Sequence, residues 1–110
     1  MSQISTHVLD TARGAAAAGV PVTLETAAGD GWSPVASGVT DPDGRASALG
    51  PESVGAGRYR LTFDTLAYFD STGQTGFFPQ VVIVFDVADD RHCHVPLLLS
   101  PFGFSSYRGT

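Results

Sequence analysis

Lysine is absent from this 110-residue sequence: the six basic residues are all arginines, Arg13, Arg45, Arg58, Arg60, Arg91 and Arg108. That absence removes Schiff-base chemistry and lysine general bases. The arginines are scattered and stand against eleven acidic residues, for a formal net charge of −5. No basic stripe for a polyanion can be drawn, so nucleic acid and anionic membrane surfaces are poor partners. A single cysteine, Cys93, excludes an intrachain disulfide and any multi-cysteine metal site. In its apolar segment it reads as a buried, inert thiol. No apolar run approaches the ~20 residues that span a bilayer; the longest, Val81-Val82-Ile83-Val84-Phe85, is of strand length. Met1-Ser2-Gln3-Ile4-Ser5 lacks a basic segment leading an apolar stretch, and Arg108-Gly109-Thr110 is no peroxisomal address. The expected compartment is the cytoplasm.

What is present is a core-forming composition, 43% apolar and 15% charged, with room for one domain over residues 1–110. Thirteen glycines and seven prolines cut the chain into short runs rich in Val, Thr, Phe and Tyr. Strands are expected over residues 4–10, 20–28, 32–40, 58–64, 79–88, 91–100 and 104–108. The run Arg58 to Phe63 alternates polar and apolar residues in the manner of a half-buried strand. Asp41-Pro42-Asp43-Gly44 is a turn, because Pro presets one dihedral and Gly supplies a positive φ. Residues 65–72 form one short helix, with Asp64 or Thr65 as its cap and Gly73 as its stop. Short strands punctuated in this way predict an all-β fold, a two-sheet antiparallel sandwich with that one helix.

Chemistry has few places to reside. The histidines are His7, His92 and His94. On a strand His92 and His94 share a face with Pro96 and Leu98, while Cys93, Val95, Leu97 and Leu99 form a core face. The mixed face suits another subunit or a ligand. The histidine trio has the makings of a zinc site or of a general base with helpers, and spacing does not separate the two. Arg45, leaving the Asp-Gly turn, is either a surface residue or a fixed fork of donors for a planar anion. Asp41 and Asp43 are explained as turn residues. Gly-x-Ser-x-Gly, phosphate-binding glycine loops and His-Glu-x-x-His are absent.

Taken together, several segments resemble the transthyretin-like (prealbumin-like) family, and within it the hydroxyisourate hydrolases. They are Ile4-Ser5-Thr6-His7-Val8-Leu9-Asp10, Gly19-Val20-Pro21-Val22, Thr40-Asp41-Pro42-Asp43-Gly44-Arg45, Tyr68-Phe69, Phe77-Phe78-Pro79, His92-Cys93-His94-Val95-Pro96-Leu97-Leu98-Leu99-Ser100-Pro101-Phe102-Gly103 and Tyr107-Arg108-Gly109-Thr110. The resemblance implies an eight-stranded sandwich assembled as a homotetramer, with active sites at the dimer–dimer interface. It implies hydrolysis of 5-hydroxyisourate to 2-oxo-4-hydroxy-4-carboxy-5-ureidoimidazoline in urate degradation, with no metal or other cofactor. It places catalytic roles on His7, Arg45 and His94 and substrate binding on Tyr107, Arg108, Gly109 and Thr110. Thr110 replaces the family's usual Ser, and Cys93 stands where an aromatic is common. His92 shares the face of His94 without a role required by the pattern. Two other readings are a non-catalytic carrier of an aromatic small molecule and a structural sandwich without chemistry.

Overall fold

Residues 2–109 are described by the computed structural model. In chain order the elements are β1 (Ile4–Asp10), β2 (Ala15–Ala16), β3 (Pro21–Ala28), β4 (Gly31–Val39), β5 (Arg45–Ala46), β6 (Gly57–Phe63), α1 (Thr65–Ser71), β7 (Val81–Val87), β8 (Cys93–Ser100) and β9 (Gly103–Ser106). One sheet runs β2-β1-β8-β9 with β5 also paired to β1, and the other runs β4-β3-β6-β7. The expected two-sheet sandwich with one short helix is what forms. No helix among the described residues is long and apolar enough to cross a membrane.

Side-chain alternation explains why the sheets stack. On β6, Tyr59, Leu61 and Phe63 are buried while Arg58, Arg60 and Thr62 stay at least partly exposed. Across the interior they meet Ile4 and Val8 of β1 and Leu97 and Leu99 of β8, all buried. On the outer side of the second sheet Arg60 pairs with Glu25 at 2.8 Å and lies 4.6 Å from the Trp32 ring centroid.

Two expectations need correction. Nine strands form among the described residues, not the eight that the resemblance implies: the seven runs expected from the residues are joined by β2 and β5, two-residue strands that pair with successive halves of one edge of β1. Such short bridges carry no periodicity for a sequence to display. The sandwich is also not wholly antiparallel: β1 pairs with β8 in parallel. Parallel partners need a long crossover, and here the chain between them builds the entire second sheet before returning. Most element boundaries shift by one or two residues, and two of the shifts fall at candidate site residues. The last strand stops at Ser106, leaving Tyr107 and Arg108 beyond it, and His92 lies just ahead of β8.

The helix is capped by Asp64, whose carboxylate accepts the Ala67 N–H at 3.0 Å, and it gives way at Thr72 to Gly73 with φ +69°. Its Tyr68 and Phe69 are buried. The Tyr68 hydroxyl donates to the buried Asp10 carboxylate at 2.7 Å, Gln74 adds a 3.0 Å bond, and the N–H groups of Ala12 and Arg13 bond the other oxygen. Burial pushes the Asp10 pKa up, but the bonds from Tyr68, Gln74, Arg13 and Ala12 outweigh it and hold the group below 3.8.

A depressed carboxylate stabilises the fold above its unfolded pKa and loses that contribution as pH falls through the folded value. Tyr68→Phe should therefore cost about 2 kcal/mol at neutral pH, in the range for a hydrogen bond to a charged group. The gap from wild type should narrow below pH 3.8. Urea unfolding midpoints at neutral and strongly acidic pH check both statements.

Candidate active site

Strand alternation and register decide which side chains share the outer face of the β1–β8 sheet. On β1 that face carries Ser5, His7 and Leu9. Parallel pairing sets Ser5 beside His94, His7 beside Pro96 and Leu9 beside Leu98, and on the other edge β5 sets Arg45 beside His7. His7, Arg45 and His94 are thus gathered on one face from three separate stretches of chain.

The turn presenting Arg45 is held by Asp41, whose carboxylate accepts the N–H groups of Asp43 at 2.9 Å and Arg45 at 3.0 Å. This matches the expectation that Asp41 and Asp43 serve the turn. Gly44 has φ +78°, and a Cβ there would lie 2.4 Å from the Val8 carbonyl oxygen, so only glycine lets the turn dock on β1. The docked turn brings the Asp43 carbonyl to 2.9 Å from His7 Nε2. A carbonyl only accepts, so His7 carries a proton on Nε2.

His94 is half-buried, and its Nδ1 lies 2.8 Å from Ser5 Oγ; the same hydroxyl lies 2.9 Å from His92 Nε2. The two imidazoles stack with centroids 6.2 Å apart and planes at 18°. Burial lowers the His94 pKa below the ordinary 6.5, and any positive charge that His92, Arg45 or His7 carries acts in the same direction. A neutral imidazole with a lone pair is the result at neutral pH. A cavity of about 230 Å³ lined by Ser5, Thr6, Arg45, Ser47, His92 and His94 opens beside it. A second, of about 280 Å³, lies on the other side of His94 and is bordered by Phe85, Cys93, Tyr107 and Arg108 among others.

The segment after β9 reaches His94 from that second side. The Gly109 N–H donates to the His94 carbonyl at 2.8 Å, and a Cβ on Gly109 would fall 2.6 Å from His94 Cδ2. Tyr107 and Arg108 are exposed, with Arg108 Nη2 at 3.9 Å from Cys93 Sγ. Thr110 lies outside the described residues. Among those described, no three His, Cys, Asp or Glu side chains converge as a metal-holding group, so His7, His92 and His94 are not assembled as a ligand set. Ser5 is the member that sequence reasoning missed. Its place two residues before His7 puts it on the same strand face but does not reveal its partners, which lie 87 and 89 residues further along the chain.

These features can be set against known proteins. The HIUase/Transthyretin family profile matches residues 4–109. The chain belongs to this family. It is similar to the 5-hydroxyisourate hydrolase of Salmonella dublin, with 45% identity over 97% of this chain and 80% of that protein. Among solved structures, that of Klebsiella pneumoniae 5-hydroxyisourate hydrolase superposes with a TM-score of 0.87 at 38% identity, covering 97% of this chain and 98% of that one. Sea bream transthyretin in complex with thyroxine superposes with a TM-score of 0.91 at 34% identity, covering 98% and 95%. One backbone is therefore shared with a 5-hydroxyisourate hydrolase and with a transthyretin in complex with thyroxine.

Two outcomes follow from the local geometry. Histidine titration by NMR should place His94 below 6.5, and Arg45→Gln should raise it by removing a nearby positive charge. Gly109→Ala should displace the final segment from the His94 ring, seen as a changed His94 resonance and faster carboxypeptidase trimming.

Proposed function

We propose that this chain is a hydrolase acting on 5-hydroxyisourate, converting it to 2-oxo-4-hydroxy-4-carboxy-5-ureidoimidazoline in urate degradation, with residues 1–110 acting as one catalytic domain. The observation that carries the reading is the gathering of His7, Arg45 and His94 on one sheet face, with Gly109 packed on His94. The family fold alone serves binding as well as hydrolysis. A carrier has no chemical use for a neutral imidazole beside a guanidinium and a second imidazole.

Water attacks a ring carbonyl, and the ring amide nitrogen leaves as the six-membered ring opens. His7 and His94 share water activation and proton delivery to the departing nitrogen, a role worth ~10²–10⁴ in rate. Arg45 steadies the developing oxyanion or orients the flat, acceptor-rich substrate, where loss of one donor typically costs ~10²–10³. Tyr107, Arg108, Gly109 and Thr110 place the substrate and close the pocket; Thr110 keeps the hydroxyl of the usual Ser and adds a methyl. A strained lactam next to a hydroxylated carbon is already reactive, so acid–base help is sufficient without a metal.

The working form is a homotetramer in the cytoplasm, with sites completed at the dimer–dimer interface. Support for the assembly comes from the company the site keeps. The same outer face carries Leu9 and Leu98, both only half-buried, and at the β8–β9 turn Phe102 is 75% exposed. Apolar side chains beside a polar site give a second sheet something to cover.

Freshly generated 5-hydroxyisourate should lose its ultraviolet absorbance faster with the protein than without it, and the acceleration should survive a chelator. His7→Asn or His94→Asn should slow turnover by ~10²–10⁴ with the fold intact, and deletion of residues 107–110 should have a comparable effect. Near-normal rates in both histidine variants would defeat the proton-transfer assignment. Light scattering should give four times the chain mass.

A further inference from the structure

Ser5 is buried at 8% exposure, and its hydroxyl touches two imidazoles, His94 Nδ1 at 2.8 Å and His92 Nε2 at 2.9 Å. A serine hydroxyl owns one proton. It cannot donate to both rings, so at least one ring must give it an N–H. The choice has consequences for His94. If Ser5 donates to Nδ1, the neutral ring carries its proton on Nε2, and the nitrogen with the lone pair is the one already blocked by the hydroxyl. If Ser5 accepts from Nδ1, the lone pair is on Nε2, which has no protein hydrogen-bond partner among the described residues.

The surroundings favour the second arrangement. His92 is exposed, so it can keep its own proton on Nδ1 in water and offer Nε2 to the serine. When His94 takes up a proton at Nε2, its Nδ1–H already points at an acceptor, and nothing needs to reorient. His94 is also faced by His7 from β1, Arg45 from β5 and His92 from the segment before β8, with Arg108 beyond Cys93. Burial, with the guanidinium of Arg45 nearby, disfavours the charged form, so the ring is neutral at rest and its tautomer determines whether it can act as a base.

We propose that Ser5 and His92 are positioning residues that hold His94 as its Nδ1–H tautomer: Nδ1–H donates to Ser5 Oγ, the serine proton goes to His92 Nε2, and His94 Nε2 is left as the proton-accepting nitrogen. This rests on the hydrolase reading and deepens it by naming the working nitrogen. The division of labour is that of any base oriented by a hydrogen bond to its far nitrogen. A single hydroxyl shared between two stacked rings provides the orientation here.

The test combines ¹⁵N imidazole NMR of the substrate-free protein with the pH dependence of ring opening. In the wild type at neutral pH, His94 should read as protonated on Nδ1 and bare on Nε2; the opposite tautomer overturns the proposal before any variant is made. Ser5→Ala should mix the tautomers and lower kcat by roughly ten- to a hundred-fold, as loss of an orienting partner does. KM should hardly change, and the acidic limb of the profile should move. Ser5→Thr, which keeps the hydroxyl, should restore both readouts. His92→Ala should add no further loss in the Ser5→Ala background, since His92 acts through Ser5. An unmoved acidic limb and tautomer in Ser5→Ala, or additive losses in the double variant, would sink the relay. A wild type with the expected tautomer that fails to speed ring opening would instead defeat the hydrolase reading.

Discussion

The parallel pairing of β1 with β8 is the constraint on which the rest of the structure depends. It sets Ser5 against His94 and His7 against Pro96, and it commits the opposite face of both strands to the core. A slip of one residue would turn His7 inward and Val8 outward, exchanging a buried valine for an imidazole. Burial of Ile4, Val8, Leu97 and Leu99 therefore fixes the register, and the register fixes the site. Because β1 spends its other edge on β2 and β5, the Asp41–Gly44 turn docks beside the same strand and brings Arg45 opposite His7.

Polar groups in this molecule are placed where burial changes their behaviour and a partner makes the burial tolerable. Asp10 shows one version: it is buried, yet four hydrogen bonds hold it as a carboxylate and tie the helix and its following loop to the end of β1. His94 shows the opposite version. Partial burial and three neighbouring cationic or potentially cationic groups all disfavour its charged form. The first arrangement locks a structure, while the second leaves a ring able to accept a proton. Gly109 belongs with the second, because the absence of a Cβ lets the chain lie across the ring and close one side without displacing it.

Much of this was legible in the sequence. The alternation from Arg58 to Phe63, the Asp-Pro-Asp-Gly turn and the Asp64 cap are local signals, and each forms as expected. His7, Arg45 and His94 could be named from motif, though composition and spacing alone left a metal trio and a general base undivided. The strands β2 and β5 were illegible because two residues hold no period. The role of Ser5 was illegible for a different reason. A serine in a β-strand has no signature of its own, and what distinguishes this one is two imidazoles that lie 87 and 89 residues further along the chain.

By itself, then, the sequence determined the fold class, the turn chemistry, the absence of lysine and disulfide chemistry, and the short roster of groups able to move protons. These depend on residue type and on neighbours within a few positions. Only the tertiary structure decided that β1 runs parallel to β8, that Arg45 stands opposite His7, that Ser5 bridges His92 and His94, and that Gly109 rests on the His94 ring. Each of these is a contact between distant stretches of chain. Their geometry is set by which apolar face the core claims, a decision that all the strands make together.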